Sequence, residues 1–441
     1  MSSSLSEKIK QGGQQEPART LLISAYKGSG ANDKDLCREH LDELELLAKT
    51  FGLNVVDKLS FLIRRHDAAI YITQGKLEEC VALAKEHAIE LVVFDDEITP
   101  AQQRNLEAAF GLSVIDRTEL ILGVFAQRAQ TKEARLQIEL AQVKYQAPRL
   151  KRLWTHLSRQ HGSGGSSGAG GSYTKGEGEK QIEIDRRILK RQLDQLQKEI
   201  DAVSDNRVTQ RSSRQRAEIP IFAFIGYTNV GKSTLLNALT GAGAFVEDKL
   251  FATLDTTTRK FTLPNNQEIL LIDTVGFIRK LPHLLVAAFK GTLEEAIQAD
   301  ILLHVVDVSH PMAEEQARTT FEVLKELDAE EKPIITVLNK SDACTDPERV
   351  KRLKVRFPDA VEISALNRQG LDQLLAQMIE ELSRQRRSVK LRIPQAEYGA
   401  VSEAMRSGHV KAQEYVDNDV VLDVELPAAL AEKMKRYLWE P

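Results

Sequence analysis

The sequence is poor in cysteine and has no long hydrophobic run. Its three cysteines, Cys37, Cys80 and Cys344, lie too far apart for a CxxC or zinc-binding pattern, so we expect neither a disulfide framework nor a structural metal site. Apolar runs such as 301–303 are far shorter than the roughly 18 residues that a membrane-spanning helix needs. The polar start MSSSLSEKIKQGGQQEP has no signal-peptide core. These absences argue against an integral membrane or secreted protein and predict a cytoplasmic one.

The composition is that of a chain that forms hydrophobic cores, and its charge is unevenly distributed. Of its 441 residues, 42% are hydrophobic and 28% are charged, and this length is typical of three or four domains. The net charge is only −4, yet residues 126–216 hold 19 basic and 10 acidic residues. This asymmetry favours a polyanionic partner such as a nucleic acid, and the alternative is a basic helix face that only contacts solvent.

The first part of the chain alternates β-rich runs with helical stretches. The β-rich runs are 19–26, 91–96 and 112–122, and the helical stretches are 35–50 and 101–110. Such alternation predicts a parallel sheet flanked by helices. The segment TQGKLEEC has a single glycine, so no phosphate-binding loop is expected here and the domain is interpreted as an accessory module.

A basic region with heptad spacing follows. Apolar residues four and three apart, from Leu136 to Leu157 and from Ile182 to Val203, predict two helices packed along one seam, with a kink at Pro148. Between them, 8 of the 17 residues from Gly162 to Gly178 are glycine and 4 are serine, a composition that cannot form a core. The region is predicted to be an antiparallel hairpin whose tip becomes ordered on a partner, and a flexible interdomain linker is the alternative.

The strongest chemical signal is a GxxxxGKS motif between an apolar strand, IFAFI, and an amphipathic helix. Its glycines let backbone N–H groups surround phosphates, Lys232 can bind the β- and γ-phosphates, and Ser233 can ligate magnesium. The predicted nucleotide-binding residues of this loop are Gly226, Tyr227, Thr228, Asn229, Val230, Gly231, Lys232, Ser233 and Thr234.

Three further motifs follow in the order that a GTPase needs. In the first, Asp273 can hold magnesium through water, and the N–H of Gly276 can approach the γ-phosphate. The others are predicted to form the guanine end of the nucleotide site: Asn339, Lys340 and Asp342 in one loop, and Ser364, Ala365 and Leu366 in the next. Asn339 is expected to tie its loop to the phosphate loop, and the Ala365 N–H is expected to meet the base oxygen. Asp342 can accept hydrogen bonds from both the ring N–H and the exocyclic amine of guanine, so guanine is preferred over adenine.

A switch segment is expected at 250–260. It must supply a threonine that ligates magnesium when the γ-phosphate is present, and Thr253 is the candidate, with Thr256, Thr257 and Thr258 as competitors. The predicted catalytic residues are Lys232, Thr253 and Gly276, and the predicted metal ligands are Ser233, Thr253 and Asp273. Phe277 stands where many small GTPases have a water-orienting glutamine, so slow intrinsic hydrolysis is expected.

With these motifs, the chain resembles the HflX family of GTPases, which is related to the Obg group. Similar stretches are GKLEE (75–79), DTVGFI (273–278), LPHLLVAAFKGTLEEA (281–296), LLHVVDVSHP (302–311) and EGEKQIEIDRR (177–187), the last resembling the family's GPGETQLETDRR. Thr253 falls in a segment similar to the family's FATLDPTT. The chain departs from the family pattern at Glu177, Lys180, Thr256 and Leu284, and its serine–glycine run is longer.

The resemblance implies a protein that binds the large ribosomal subunit and its rRNA, splits stalled or idle ribosomes, and places the hairpin tip near the peptidyl-transferase centre. The expected cofactors are Mg²⁺ and GTP or GDP, with K⁺ near Asn229 as a further candidate. The cluster next to the tip, Arg186, Arg187, Lys190 and Arg191, is predicted to bind rRNA. Two alternatives remain: a signalling GTPase with protein effectors, and a nucleotide-regulated RNA-binding or remodelling protein.

The predicted fold class is α/β, and a monomer is expected. After a disordered stretch (1–18), the expected domains are an N-terminal α/β domain (19–125), a helical hairpin (126–216), a P-loop GTPase domain (217–385) and a small C-terminal α+β domain (386–441). The last is interpreted as a βαββα unit without a catalytic constellation. His283 and His304 are interpreted as packed or surface residues rather than bases.

Overall fold

The computed structural model describes most of the chain, which divides into two compact units. The described residues are 17–28, 31–160, 184, 187–203, 219–241, 250–251, 256–282, 298–329, 331–384 and 386–439. The first unit comprises Met1–Val203, Glu247–Asp255 and Ile278–Gly291, and the second comprises Ser204–Val246, Thr256–Phe277 and Thr292–Pro441. Within the described ranges, no helix is both long and apolar enough to cross a membrane.

A parallel sheet forms the core of the first unit. Its strands are β1 (Arg19–Tyr26), β2 (Asn54–Leu62), β3 (Leu91–Phe94) and β4 (Ser113–Asp116), arranged in the order β2-β1-β3-β4 with parallel pairing throughout. The helices that follow them are α1 (Ala31–Phe51), α2 (Gln74–Glu86), α3 (Pro100–Phe110) and α4 (Arg117–Arg128). Leu21, Leu22 and Ile23 are consecutive and fully buried, as expected of a parallel strand covered on both faces. The predicted α/β fold with a parallel sheet is confirmed.

The β-rich interpretation of 112–122 is wrong for its second half. The strand ends at Asp116, and α4 begins at the next residue. The Asp116 side chain accepts a hydrogen bond of 2.9 Å from the backbone N–H of Glu119 and so caps the helix N-terminus. A short apolar run alone does not distinguish a buried strand from a buried helix, and here the cap favours the helix.

Two long helical stretches form the middle region of the first unit. Helix α5 (Lys132–Gln160) continues through Pro148, and residues 187–203 form the described part of helix α6. The two stretches pack through one apolar cluster: Leu136, Leu140, Val143, Leu189, Leu193, Leu196, Ile200 and Val203. This cluster confirms the predicted seam. The Gly-rich tip, 162–178, lies outside the described residues.

A six-stranded sheet organises the second unit. Its strands are β5 (Ile221–Gly226), β6 (Thr257–Thr262), β7 (Glu268–Asp273), β8 (Ile301–Asp307), β9 (Ile334–Asn339) and β10 (Val361–Glu362), in the order β10-β9-β8-β5-β7-β6. Only β6 runs antiparallel to its neighbour; the other pairs are parallel. The described helices of this α/β fold are α7 (Lys232–Thr240), α8 (Ala313–Glu326), α9 (Pro347–Arg356) and α10 (Leu371–Arg384). The predicted motifs therefore follow the carboxyl ends of parallel strands, where α/β sheets bind ligands.

The C-terminal residues form an antiparallel sheet covered by helices. The elements are β11 (Arg386–Pro394), α11 (Tyr398–Ser407), β12 (His409–Val416), β13 (Asp419–Pro427) and α12 (Ala428–Lys433), with β13 in the centre of the sheet. Alternate residues of β13, including Val420, Leu422 and Val424, are fully buried against the helices. The predicted βαββα order is confirmed.

Candidate functional site

The GxxxxGKS loop connects β5 to α7, and at two of its positions the backbone has a conformation that favours glycine. Gly226 and Gly231 have φ angles of 145° and 93°, in the region that disfavours side chains. A Cβ atom would lie 2.3 Å from the Val305 main-chain oxygen at the first position and 2.5 Å from the Asn339 side-chain nitrogen at the second. The loop therefore approaches β8 and β9 more closely than any larger residue would permit.

Lys232, the first residue of α7, is folded back onto this loop. Its Nζ donates hydrogen bonds to the main-chain oxygens of Gly226 (3.2 Å) and Tyr227 (2.8 Å), and the residue is only 6% exposed. Burial lowers the pKa of Lys232 to about 8, although the charge of Asp273 acts in the opposite direction. A buried ammonium group is thus poised at the point where the loop can surround an anion.

Ser233 and Asp273 form a pair of oxygen donors beside the loop. The Ser233 hydroxyl donates a hydrogen bond of 2.5 Å to Asp273 Oδ2, and the Asp273 side chain is almost fully buried at the end of β7. Hydroxyl and carboxylate oxygens are the ligands that Mg²⁺ prefers. The chemistry of this donor set therefore fits a magnesium ion.

The DxxG segment is held against the phosphate loop by backbone hydrogen bonds. The Thr228 N–H donates to the Phe277 oxygen at 2.7 Å, and the Phe277 N–H donates to the Gly226 oxygen at 3.0 Å. A Cβ on Gly276 would lie 2.8 Å from the Thr228 Cα and 2.9 Å from the Lys232 Nζ. Only glycine fits this position, so the segment reaches the loop without a side chain between them.

Asn339 ties the phosphate loop to the loop at 364–366. Its Nδ2 donates to the Val230 oxygen at 2.8 Å, and its Oδ1 accepts a bond of 3.0 Å from the Ala365 N–H. The expected connection through Asn339 is therefore confirmed. Ser364 is fully buried and its hydroxyl accepts a bond of 3.1 Å from the Asn367 N–H, whereas the Leu366 side chain is exposed.

Lys340 links the phosphate loop to the end of β8. Its Nζ donates to the Asn229 oxygen at 2.8 Å and pairs with Asp307 at 2.7 Å. Asp342, in the 3₁₀ turn Ser341–Ala343, is exposed. Asp307 was missed by the sequence analysis, although it ends the mostly apolar strand β8 as Asp273 ends β7.

Some predicted site residues fall in parts of the chain that the structure does not describe. Thr253 and Arg186 lie outside the described residues, as does His283. The competitors Thr257 and Thr258 lie in β6, paired with Asp273 and Ile272 of β7, and Thr256 directly precedes that strand. On α6, the predicted rRNA-binding residues Arg187, Lys190 and Arg191 are exposed.

Comparison with known proteins finds family matches and relatives that together cover nearly the whole chain. Residues 38–126 match a family model described as GTP-binding GTPase N-terminal, 128–214 match GTP-binding GTPase Middle Region, and 221–340 match 50S ribosome-binding GTPase. The chain is 47% identical to the GTPase HflX of Chlamydia pneumoniae over 426 residues, which covers 96% of this chain and 89% of that protein. It is 40% identical to the GTPase HflX of Escherichia coli K12, covering 90% of this chain and 91% of that protein.

A solved structure with similar coverage is a GTP-binding protein from Sulfolobus solfataricus in complex with GDP. It is 26% identical, covers 82% of this chain and 98% of its own, and has a TM-score of 0.43. The two curated relatives exceed 30% identity over most of their own length and of this chain, so the resemblance and the GTP hydrolase class predicted from the motifs are both confirmed. The chain belongs to the HflX family of GTPases.

Proposed function

We propose that the protein binds the large ribosomal subunit and uses GTP binding and hydrolysis to split stalled or idle ribosomes. The match of residues 221–340 to a family of 50S ribosome-binding GTPases is the observation that carries this proposal. It is supported by the exposed basic residues on α6, because rRNA presents a dense array of phosphates. Domain boundaries at 19–125, 126–216, 217–385 and 386–441 are part of the proposal.

The nucleotide is proposed to bind along the carboxyl edge of the second unit's sheet. Backbone N–H groups from Asn229 to Thr234 would surround the phosphates at the N-terminus of α7, and the Lys232 ammonium group would turn from the loop oxygens to the β- and γ-phosphates. Gly226, Tyr227, Thr228, Val230 and Gly231 would shape the loop. Ser233 and Asp273, with Thr253, would hold a magnesium ion, which when bound neutralises phosphate charge.

Guanine recognition is proposed at the opposite end of the site. The Asp342 carboxylate would accept both guanine donors, and the Ala365 N–H, which donates to Asn339 Oδ1, would share its hydrogen with the base oxygen. Asn339 and Lys340 would keep this loop in register with the phosphate loop, since both already bond to it. Ser364 would fix the turn that presents Ala365, and Leu366 would cover the base from solvent.

Hydrolysis is proposed to depend on a group supplied from outside the chain. The Gly276 N–H would contact the γ-phosphate, but the next side chain, Phe277, is apolar and 1% exposed, so it cannot align the attacking water. Thr253 would respond to the γ-phosphate as a magnesium ligand. We propose that the large ribosomal subunit completes the site, with a monovalent cation such as K⁺ bound near Asn229.

The hairpin is proposed to supply affinity for the ribosome, and its tip to supply the splitting step. Arg186, Arg187, Lys190 and Arg191 would contact backbone phosphates of rRNA, which position a protein without reading sequence. A glycine-rich tip can enter a narrow space without side-chain clashes, although ordering it costs roughly 1–2 kcal/mol per residue.

Co-sedimentation with 30S, 50S and 70S particles tests ribosome binding, with a GTP analogue or GDP bound. We expect the chain to pellet with 50S subunits, and a chain that stays in the supernatant in both states would instead support a signalling GTPase. Splitting is tested by light scattering of 70S ribosomes with a chain lacking 162–171. This deletion should leave GTP and 50S binding intact and slow dissociation; splitting at the wild-type rate would show that the tip is a passive connector.

A further inference from the structure

Two short segments that border nucleotide-binding motifs belong to the first compact unit. Residues 250–251 begin the expected switch segment, and 278–282 follow the DxxG motif after one residue, Phe277. Within that unit, both segments contact one helix, α4. The segment 278–282 contacts Arg117 at the first position of the helix, and the segment 250–251 contacts Phe125 two turns later.

The contact at the N-terminus of α4 is an ionic cluster around a buried aspartate. Asp95, which follows β3 and is 1% exposed, pairs with Arg117 at 2.9 Å, Arg279 at 2.8 Å and Lys280 at 3.3 Å. Arg117 Nε also donates a bond of 3.2 Å to the main-chain oxygen of Arg279. The segment after DxxG is therefore held by its backbone as well as by its side chains.

The charges of this cluster are strongly interdependent. Burial alone would raise the pKa of Asp95, but the charges of Arg117, Arg279 and Lys280 lower it to about 2. If Arg279 and Lys280 moved away, the ionised carboxylate would stay buried with Arg117 as its remaining cation in this cluster. Movement of the segment is therefore unfavourable unless Asp95 and Arg117 rearrange too.

The second contact is aromatic and lies further along the helix. The rings of Phe125 and Phe251 meet edge to face with centroids 4.5 Å apart, and both side chains are buried. Phe251 and Lys280 have φ angles of 55° and 52°, values that bulky residues rarely adopt. Such conformations persist where the surrounding contacts hold them, and they are concentrated at functional and switch segments.

The same helix is also fixed to the base of the hairpin. Asp116, the N-cap of α4, accepts hydrogen bonds from the Tyr145 hydroxyl at 2.8 Å and from Arg149 at 3.0 Å, both on α5. The Arg149 guanidinium group stacks on the Tyr145 ring and also donates to the Ile98 oxygen at 3.0 Å. Asp116 and Arg117 are adjacent, so one helix start binds the hairpin and the segment after DxxG.

We propose that α4 couples the nucleotide state to the hairpin, with Asp95 and Arg117 binding the segment after DxxG and Asp116 binding α5. This inference rests on the proposed function, since it describes how GTP would control the ribosome-binding element. Arg279 follows Gly276 by three residues, so a shift of that glycine towards the γ-phosphate changes the position of the cations on Asp95. The change in α4 then alters the anchoring of Tyr145 and Arg149.

Hydrogen–deuterium exchange on the full chain tests the coupling without a ribosome. In the wild type, amides of 117–128 and 132–148 should exchange at different rates with a GTP analogue and with GDP. In a variant with Arg279→Ala and Lys280→Ala, this difference should fall at least threefold, while GDP affinity stays within about twofold. Asp95→Asn removes the carboxylate partner of Arg279 and Lys280 and should reduce the exchange difference in the same way. Asp42→Asn, which removes the ion pair with Lys58 on the same unit, is the matched control and should retain the wild-type difference.

A second measurement separates the failure of this inference from the failure of the proposed function. The 50S affinity is measured with the GTP analogue and with GDP, and the ratio of the two affinities is compared between proteins. In the Arg279→Ala, Lys280→Ala variant this ratio should be at least threefold closer to one than in the wild type. A wild-type chain with no nucleotide-dependent exchange in α4 and α5, or a variant that retains the full exchange difference, would overturn the coupling. Normal coupling by exchange without any 50S binding would instead contradict the proposed function alone.

Discussion

The Nζ of Lys232 donates a 2.8 Å hydrogen bond to the main-chain oxygen of Tyr227, within the loop that it is expected to leave when phosphate binds. Because burial lowers the pKa of this lysine to about 8, a fraction of the free protein carries a neutral amine above that pH. Phosphate binds the ammonium form, so nucleotide binding must be accompanied by proton uptake in alkaline solution.

The affinity for GDP should therefore fall about twofold from pH 7 to 8 and should weaken more steeply above pH 8, by up to about tenfold per pH unit. Isothermal titration in buffers of different ionisation enthalpy measures the proton uptake directly. Lys232→Arg is the control, because a guanidinium group stays charged and should give a flat profile between pH 7 and 9. A flat wild-type profile would show that Lys232 is fully protonated in the free protein.

Asp342→Asn should shift the base preference from guanine to xanthine. The asparagine amide presents a donor where guanine also has donors, whereas xanthine offers an acceptor at that position. The affinity for GTP should therefore fall roughly a hundredfold, and the affinity for xanthosine triphosphate should rise. Competition against a fluorescent GDP analogue measures both. Asp346→Asn, at the half-buried N-cap of α9, is a control that should keep the guanine preference. Equal GTP affinity in the wild type and the Asp342 variant would refute the assignment.

His304 should make the second unit sensitive to acid. It lies fully buried in β8 with its ring edge to face against Phe321 and Phe357, and burial lowers its pKa to about 3, with a smaller effect from Arg356. The unfolded chain binds a proton near pH 6.5 and the folded chain does not, so stability is lost as the pH falls below 6.5.

Between pH 7 and 5, this single group should lower the free energy of unfolding by about 2 kcal/mol. Urea titration of the wild type and of His304→Leu at both pH values isolates the contribution, because leucine cannot bind a proton. The prediction fails if both proteins lose the same stability over this range.

Charge reversal on α6 should weaken ribosome binding in every nucleotide state. Replacing Arg187, Lys190 and Arg191 with glutamate removes cations that neutralise rRNA phosphates, and the slope of log affinity against log salt should decrease by about 0.9 for each phosphate that is no longer neutralised. The control reverses Lys351, Arg352 and Lys354 on α9, which are also exposed. A salt slope that does not change in the α6 variant would contradict rRNA binding by this helix.

The parts of the site that sequence could predict are those whose geometry is local. Gly226 and Gly231 belong to one short loop between a strand and a helix, so their spacing alone identifies the loop. The strand β1 was also predicted with its observed bounds, because consecutive buried residues such as Leu22 and Ile23 are typical of parallel sheets.

The parts that could not be predicted depend on tertiary contacts. The helix after Asp116 was misread because its cap, rather than the apolar run, decides the structure. The pair between Asp95 and Arg279 joins residues 184 positions apart, and neither lies in a recognisable motif. Asp307 pairs with Lys340 only because β8 and β9 are neighbours in the sheet.

The central claim is that the large ribosomal subunit completes the catalytic site of this GTPase. Single-turnover GTP hydrolysis with and without purified 50S subunits tests this claim most directly. Phe277 cannot align the attacking water, so the chain alone should hydrolyse GTP slowly, and saturating 50S subunits should raise the rate constant at least tenfold. Isolated 30S subunits serve as the control and should leave the rate unchanged. The same rate with and without 50S subunits would contradict the account.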